Sequence, residues 1–400
     1  MNNSKFRTRF LTSFFLFGLF FVLLSGKRLD AQESILTSYE RNFIRSSLAA
    51  KTGILKDAAT DERAGEFIGS LYEFALQFAL TNGPMLRDDP DMIALVAAAA
   101  KGAGDGGNRD SVRSLWELFR IFQDSYSRVE ILNALGILGK GNPQIIGNLN
   151  QLLEDQNRVY RAGNINLNYP VLGACITALG ALGDDSSFPF LFSAMIAGYP
   201  QSITQETLKA LDSIQGNYKD YLIEVIRNNP FPEKAAAFRI GAYNAKLKPA
   251  ERGELARIAL EVSLDASGSP AAALRYDAIT VLTRLKWSPA SSLALRNFYR
   301  VLTDFTNNAA PRERLLEAIT CLGVMDSTEA AQALTLQLGF INSQTERTGE
   351  YNEAVILAII NALGELGDKA AFDHLLYISY LNYPDRIQAS AKEALNLLKW

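Results

Sequence analysis

Ala362-Leu363-Gly364-Glu365-Leu366-Gly367-Asp368 nearly repeats Ala178-Leu179-Gly180-Ala181-Leu182-Gly183-Asp184. Each copy ends an apolar helical run in small residues and then turns through Gly-Asp into another amphipathic segment. Glycine suits the left-handed residue that closes a helix, and aspartate suits the N-cap of the next one. Weaker copies run from residue 99 to the C-terminus, so the chain reads as an array of helix pairs. The small residue opening each copy falls at Ala99, Ala134, Ala178, Ala210, Ala242, Ala278, Ala318, Ala362 and Ala394, at intervals of 32 to 44 residues. Intervals of that size hold two helices and two turns.

The turns themselves support this register. Let the segment before each alanine be the second helix of a unit, B, and the segment after the turn be the first helix, A, of the next. The B-to-A turns then carry glycine or aspartate, at Gly139-Lys140-Gly141, Gly183-Asp184, Gly216-Asn217 and Gly367-Asp368. The A-to-B turns carry proline, at Tyr169-Pro170, Tyr199-Pro200, Pro230-Phe231-Pro232, Pro270, Pro311 and Tyr383-Pro384. Proline is favoured at the first helical position, where no amide donor is lost. Two kinds of punctuation therefore agree on one spacing. The expected fold class is all-α, an α-solenoid of stacked antiparallel helix pairs with about 8–10 repeats. Residues 91–400 form the array, and 32–90 form an atypical helical capping region.

These copies resemble the HEAT-repeat family, particularly the short variety also found in phycobilisome lyases. The resemblance covers about residues 90–400 and rests on the Ala-Leu-Gly-x-Leu-Gly-Asp stretches at 178 and 362. It implies A helices on a convex face and B helices on a concave one. It also implies an aspartate in the turn within each repeat and an arginine early in helix B. Arg128 and Arg312 stand six residues before their alanines, and the other copies lack arginine at that offset.

Composition narrows the function classes. Apolar residues make up 48% and charged residues 21%, with a net charge of −3. An acidic balance argues against nonspecific nucleic-acid binding, which needs a basic footprint on the phosphates. His374 is the one histidine, so the chain cannot build a multi-histidine metal site and has a single candidate for histidine-dependent acid–base work. Its amphipathic surroundings read as a surface or boundary position. Cys175 and Cys321 lie in apolar helical runs and read as small buried hydrophobes. Gly102-Ala103-Gly104-Asp105-Gly106-Gly107 matches a dinucleotide-binding pattern by letter, but an alanine-rich helical segment precedes it where a strand is required. It reads as an inter-repeat turn. No cofactor and no metal are expected.

The N-terminus carries Lys5, Arg7 and Arg9, then an uncharged apolar run from Phe10 to Leu24, then Ala31 before Gln32. That order fits a secretory signal over residues 1–31, with an uncleaved N-terminal anchor as the alternative. Without those residues the balance is 35 basic to 42 acidic residues. The expected location is the periplasm or cell envelope, with inner-membrane anchoring through the N-terminal segment as the one membrane contact.

The two 44-residue intervals contain what read as long A-to-B loops, residues 156–169 and 341–352. Insertions on one edge of a repeat array often form a binding face, and Tyr and Arg are favoured at interfaces. Tyr160, Arg161, Asn164, Tyr169, Arg347 and Tyr351 are the candidate partner-binding residues. The expected function is a non-enzymatic scaffold binding a protein or peptide partner through the concave face and these loops. The alternatives are a lyase-like enzyme or chromophore-binding protein, as the resemblance implies, and an envelope structural protein.

Overall fold

The computed structural model describes residues 35–399, apart from the side chain of Glu66. The expected export segment, residues 1–31, lies outside them. The chain divides into two compact units, Met1–Gly216 and Asn217–Trp400. Among the described residues there are helices and turns but no strand, and no helix is long and apolar enough to cross a membrane.

In the first unit the helices are α1 (residues 35–45), α2 (Leu48–Thr60), α3 (Ile68–Leu86), α4 (Pro90–Asp105) and α5 (Val112–Ile121). They continue as α6 (Ser125–Leu138), α7 (Pro143–Arg161), α8 (Tyr169–Leu182), α9 (Phe188–Ile196) and α10 (Gln201–Ser213). The even-numbered helices stack in series, α2 on α4, α4 on α6, α6 on α8 and α8 on α10. The odd-numbered helices α3–α5 and α7–α9 pack beside them as a second layer. In the second unit the series is α11 (Lys219–Asn228), α12 (Phe231–Ala242), α13 (Pro249–Leu264), α14 (Ser269–Leu285) and α15 (Ser291–Thr306). It ends with α16 (Arg312–Gly323), α17 (Thr328–Thr348), α18 (Glu353–Leu366), α19 (Phe372–Tyr377) and α20 (Asp385–Asn396). Here too the even helices α12 to α20 form one layer and the odd helices α11 to α19 the other. Each unit is an all-α solenoid stack in which the B helices of the sequence pattern are the even-numbered ones.

The motif exists because of how the B helices meet. A Cβ added at Gly136 would lie 2.8 Å from the Cα of Ala178, and one at Gly180 would lie 2.8 Å from the Cα of Ala210. Gly323 stands against Ala362 at 2.9 Å, and Gly364 against Ala394 at 3.2 Å. The glycine of each Ala-x-Gly copy is thus seated on the alanine of the next B helix, and any side chain there would push the two backbones apart. These contacts move the register at two places. Gly104 is the residue that meets Ala134, so Gly102, not Ala99, takes the alanine's place, and the Tyr72 ring fills the room it leaves. Likewise Gly323 meets Ala362, so Cys321 replaces Ala318. Residues three apart share a helix face, which is why the spacing alone favoured the wrong alanine.

Lysine or arginine near the start of several B helices reaches back to the end of the preceding A helix. Lys51 donates to the carbonyls of Phe43 and Ser46. Lys234 donates to those of Ile226 at 2.7 Å and Arg227 at 2.6 Å. Arg275 reaches Ser263 at 2.7 Å. These carbonyls lack partners within their own helices, and a cation there also complements the helix dipole. Lys51, Lys234 and Arg275 are buried, and burial lowers the pKa of each. Of the two arginines singled out in the sequence, Arg128 is stacked 4.1 Å over the Phe119 ring. Arg312 is exposed beside Glu313 and makes no such link.

One stretch is duplicated well beyond its motif. Residues 168–215 and 352–399 correspond at an offset of 184. Asn168 and Asn352 accept hydrogen bonds from Val171 and Val355 as N-caps, and Gly183 and Gly367 close α8 and α18 at φ 68° and 67°. Asp184 and Asp368 cap the following turns, and the amides of Gln215 and Lys399 return to the carbonyls of Gly183 and Gly367. In both copies a buried asparagine of the long A helix meets a buried tyrosine. Tyr199 donates to Asn157 Oδ1 at 3.1 Å, and the Tyr383 hydroxyl lies 3.1 Å from Asn342 Oδ1. The asparagines in turn donate to the carbonyls of Phe190 and His374.

Candidate binding surfaces

The supposed A-to-B loops are mostly helix. α7 runs to Arg161 and has 19 residues, and α17 runs to Thr348 and has 21. Neither 156–161 nor 341–348 contains glycine or proline, so the extra residues lengthen the A helices. Gly163 at φ 93° and Gly349 at φ 73° then begin the short turns. The loops expected at 156–169 and 341–352 are thus shortened to connections at 162–168 and 349–352.

The candidate residues of this edge are largely engaged by the fold. The Tyr160 ring lies 4.2 Å from that of Tyr199, and its hydroxyl donates to the Gly198 carbonyl at 3.0 Å. Arg161 donates to the carbonyl and hydroxyl of Ser193. Tyr169 donates to the Ile165 carbonyl at 2.8 Å, and Asn164 accepts from the Asn166 amide. Tyr351 meets the Tyr383 ring edge-on at 5.0 Å. Arg347 is exposed and bonds to the Ser343 carbonyl of its own helix. Tyr160 and Arg161 thus tie the end of α7 to α9 and the residues just after it, Asn164 and Tyr169 close the turn between α7 and α8, and Arg347 and Tyr351 stand at its counterpart.

The outward face of the B helices in the second unit was not legible in the sequence. A groove of about 460 Å³ runs across α16, α18 and α20. Half-buried Leu316 and Leu357 form its floor, with Thr320, Asn361, Glu365 and Arg386 at the rim. Side chains link the B helices of this unit. Arg239 pairs with Asp277 at 3.0 Å, and the Arg314 guanidinium sits 3.8 Å over the Tyr276 ring while bonding Glu317. Lys286 pairs with Glu365 at 2.8 Å and Arg386 with Glu353 at 3.6 Å. An aliphatic floor with a charged rim suits an apolar side chain of a peptide whose polar groups meet the rim. Such a face could be found in sequence only once the outward positions of each B helix were known.

Burial pushes the Cys175 thiol up to about 12 and the Cys321 thiol up to about 11, so neither is a thiolate near neutrality. His374 is half-buried at the boundary of α19, close against Gly339 of α17. Among the described residues no group of three His, Cys, Asp or Glu could hold a metal ion. The Gly102–Gly107 stretch is the end of α4 and its turn, as its helical context implies.

No protein family model matches the chain, and no curated protein does. Solved structures are matched. One, from work on a phosphorylation switch that controls the interaction between cadherin and β-catenin, shares 11% identity at a TM-score of 0.30, covering 91% of this chain and 96% of its own. Another, a circular tandem repeat protein with a novel repeat topology, shares 15% identity at a TM-score of 0.15, covering 94% and 82%. The description of this chain as a helical repeat stack rests on its own helix contacts.

Proposed function

We propose that the chain is an exported, non-enzymatic scaffold of the HEAT-repeat type that holds a protein or peptide partner along the B-helix layer of the unit Asn217–Trp400. The observation that carries this reading is the α16–α18–α20 groove, where Leu316 and Leu357 lie open between charged rims. A folded stack gains nothing from leaving aliphatic side chains accessible in a cleft, whereas a peptide side chain entering it removes that area from water. The HEAT type is supported by the basic donors Lys51, Lys234 and Arg275, which tie the start of helix B to the end of helix A. Export is supported by Lys5, Arg7 and Arg9 ahead of the Phe10–Leu24 run. A non-enzymatic role is supported by two thiols held protonated and a lone half-buried histidine.

The test places a photo-crosslinking residue at Asn361 in the chain expressed in its native cell envelope. One dominant protein crosslinked from Asn361 and lost in Leu357→Arg is the expected result. Capture that survives Leu357→Arg, or no crosslinked protein at all, overturns the groove as the binding surface. Intact mass of the exported chain tests the leader separately, with loss of residues 1–31 expected.

A further inference from the structure

The duplicated pairs share a backbone plan but differ on the outer surface of their long A helices. Asn157 of α7 and Asn342 of α17 hold the same structural place, an offset of 185 along these two helices. At that offset Gln151 corresponds to Leu336 and Asp155 to Phe340. In α7 this surface is polar and self-satisfied, with Gln151 donating to Asp155 and Arg158 pairing with Asp155 at 2.7 Å. In α17 it is apolar, with Leu336 70% and Phe340 60% exposed. Tyr377 at the end of α19 and Tyr380 in the turn after it are also 37% and 74% exposed, with their rings 6.5 Å apart. Since α7 folds in the same setting with glutamine and aspartate, the stack does not require an apolar surface here.

We infer that the outer face of α17 and α19 docks a basic amphipathic helix of a partner protein. Leu336 and Phe340 are four residues apart and form the kind of ridge into which a second helix packs. The partner's charge follows from the surroundings. Glu329, Glu346 and Asp373 are exposed on the same two helices, with Arg347 on α17 and Lys369 in the turn before α19 as the exposed cations. Along α17 and α19 themselves there are three Asp or Glu against one Lys or Arg. Along α7 and α9 there are two against two. An exposed apolar stripe inside an acidic surface selects leucine-type side chains flanked by lysine or arginine. It disfavours an anionic lipid surface, which like charges repel. The inference concerns a different layer from the B-helix groove and stands or falls independently of it.

The test uses fluorescence anisotropy on the full mature chain with a labelled amphipathic peptide of leucine and lysine. A peptide of the same composition in permuted order, which forms no apolar face, is the control. The variant L336Q/F340D transplants the residues of α7. It folds as the parent because those residues already occupy the equivalent helix, and circular dichroism checks this. It also adds negative charge, so binding driven by charge alone would tighten. The expected result is a loss of about tenfold or more in affinity for the amphipathic peptide, with weak binding of the permuted one throughout. A smaller loss of about twofold to threefold is expected for E329Q/D373N. Unchanged or tighter binding by L336Q/F340D overturns the inference. So does concentration-dependent self-association in light scattering that L336Q/F340D abolishes, which would make a second copy the occupant. Binding to neutral phosphatidylcholine vesicles through Leu336 and Phe340 without peptide binding would overturn it as well.

Discussion

Two stretches of the B layer reach the same stacking by different means. From α4 to α10 and from α16 to α20, glycine of one helix lies on the backbone of the next, as Gly180 does on Ala210 and Gly323 on Ala362. Between α12 and α16 that device is missing. Thr283 of α14 meets the Cys321 side chain, and longer side chains bridge the helices on the outer face, through Arg239 with Asp277 and Arg314 over Tyr276. Backbone contact demands one residue type at one position. Side-chain bridging accepts many combinations, so it holds the stack without leaving a motif.

The largest effect should come from forcing a side chain into the backbone contact. Gly180→Val would set its Cβ 2.8 Å from the Cα of Ala210 with no flexible neighbour able to yield. A loss of about 3 kcal/mol is expected, at the upper end for overpacking. Urea unfolding would show it as a lowered midpoint, and hydrogen exchange would localise it to α8 and α10. Thr283→Ala, at the α14–α16 contact of the side-chain-bridged stretch, should cost about 1 kcal/mol, the scale of one hydrogen bond and a methyl group. Equal losses at the two positions would mean that the glycine contacts set nothing special.

The buried asparagines test whether the two duplicated copies depend on one device. Asn157 and Asn342 each meet a tyrosine hydroxyl and donate to a carbonyl of the next A helix. Asn157→Ala and Asn342→Ala should each cost about 2 kcal/mol, because the buried hydroxyl and carbonyl lose their partner. Tyr160→Ala, at a residue first read as a partner contact, should cost about 1–2 kcal/mol through its stacking on Tyr199. Protection of the α9 amides in Asn157→Ala and of the α19 amides in Asn342→Ala is the measurement, and it should fall in both.

This contrast also explains what the sequence disclosed. The Ala-Leu-Gly-x-Leu-Gly-Asp copies and the proline-bearing turns placed every B helix in the even-numbered series, because glycine and proline have few structural substitutes. Ala99 and Ala318 were misplaced by three residues because one helix face admits both choices and only the Gly104–Ala134 and Gly323–Ala362 contacts decide. The Tyr160 and Tyr351 edges were read as loops because polar, aromatic stretches look alike whether a helix continues or ends. The α16–α18–α20 groove left no trace, since Leu316 and Leu357 are ordinary helix residues until their neighbours are known.

A smaller effect separates the helix-end links from the spine. Lys234 is buried and its ammonium donates to two carbonyls at the end of α11. Lys234→Met keeps most of the apolar stem but leaves those carbonyls without the donor, so a loss of about 1–2 kcal/mol is expected. The change should appear as faster exchange in the last turn of α11 while the α16–α18 contact keeps its protection.

The smallest effect should carry the opposite sign. Gly147 lies within α7, yet a Cβ built there meets nothing within 4 Å, unlike one at Gly180. Glycine inside a helix costs about 0.5–1 kcal/mol relative to alanine, because the unfolded chain is more flexible and no side chain covers the backbone. At Gly180 that penalty is outweighed by the close approach to Ala210. At Gly147 nothing outweighs it, although the residue does line a cleft of about 330 Å³ with Ile146, Asn150 and Phe190. Gly147→Ala should therefore raise the unfolding midpoint by an amount equivalent to about 0.5–1 kcal/mol, and Gly53→Ala, equally open in α2, should do the same. Stabilisation at both open glycines beside destabilisation at Gly180 would show that the B-layer glycines are held by the neighbouring backbone and not by any property of helices rich in small residues.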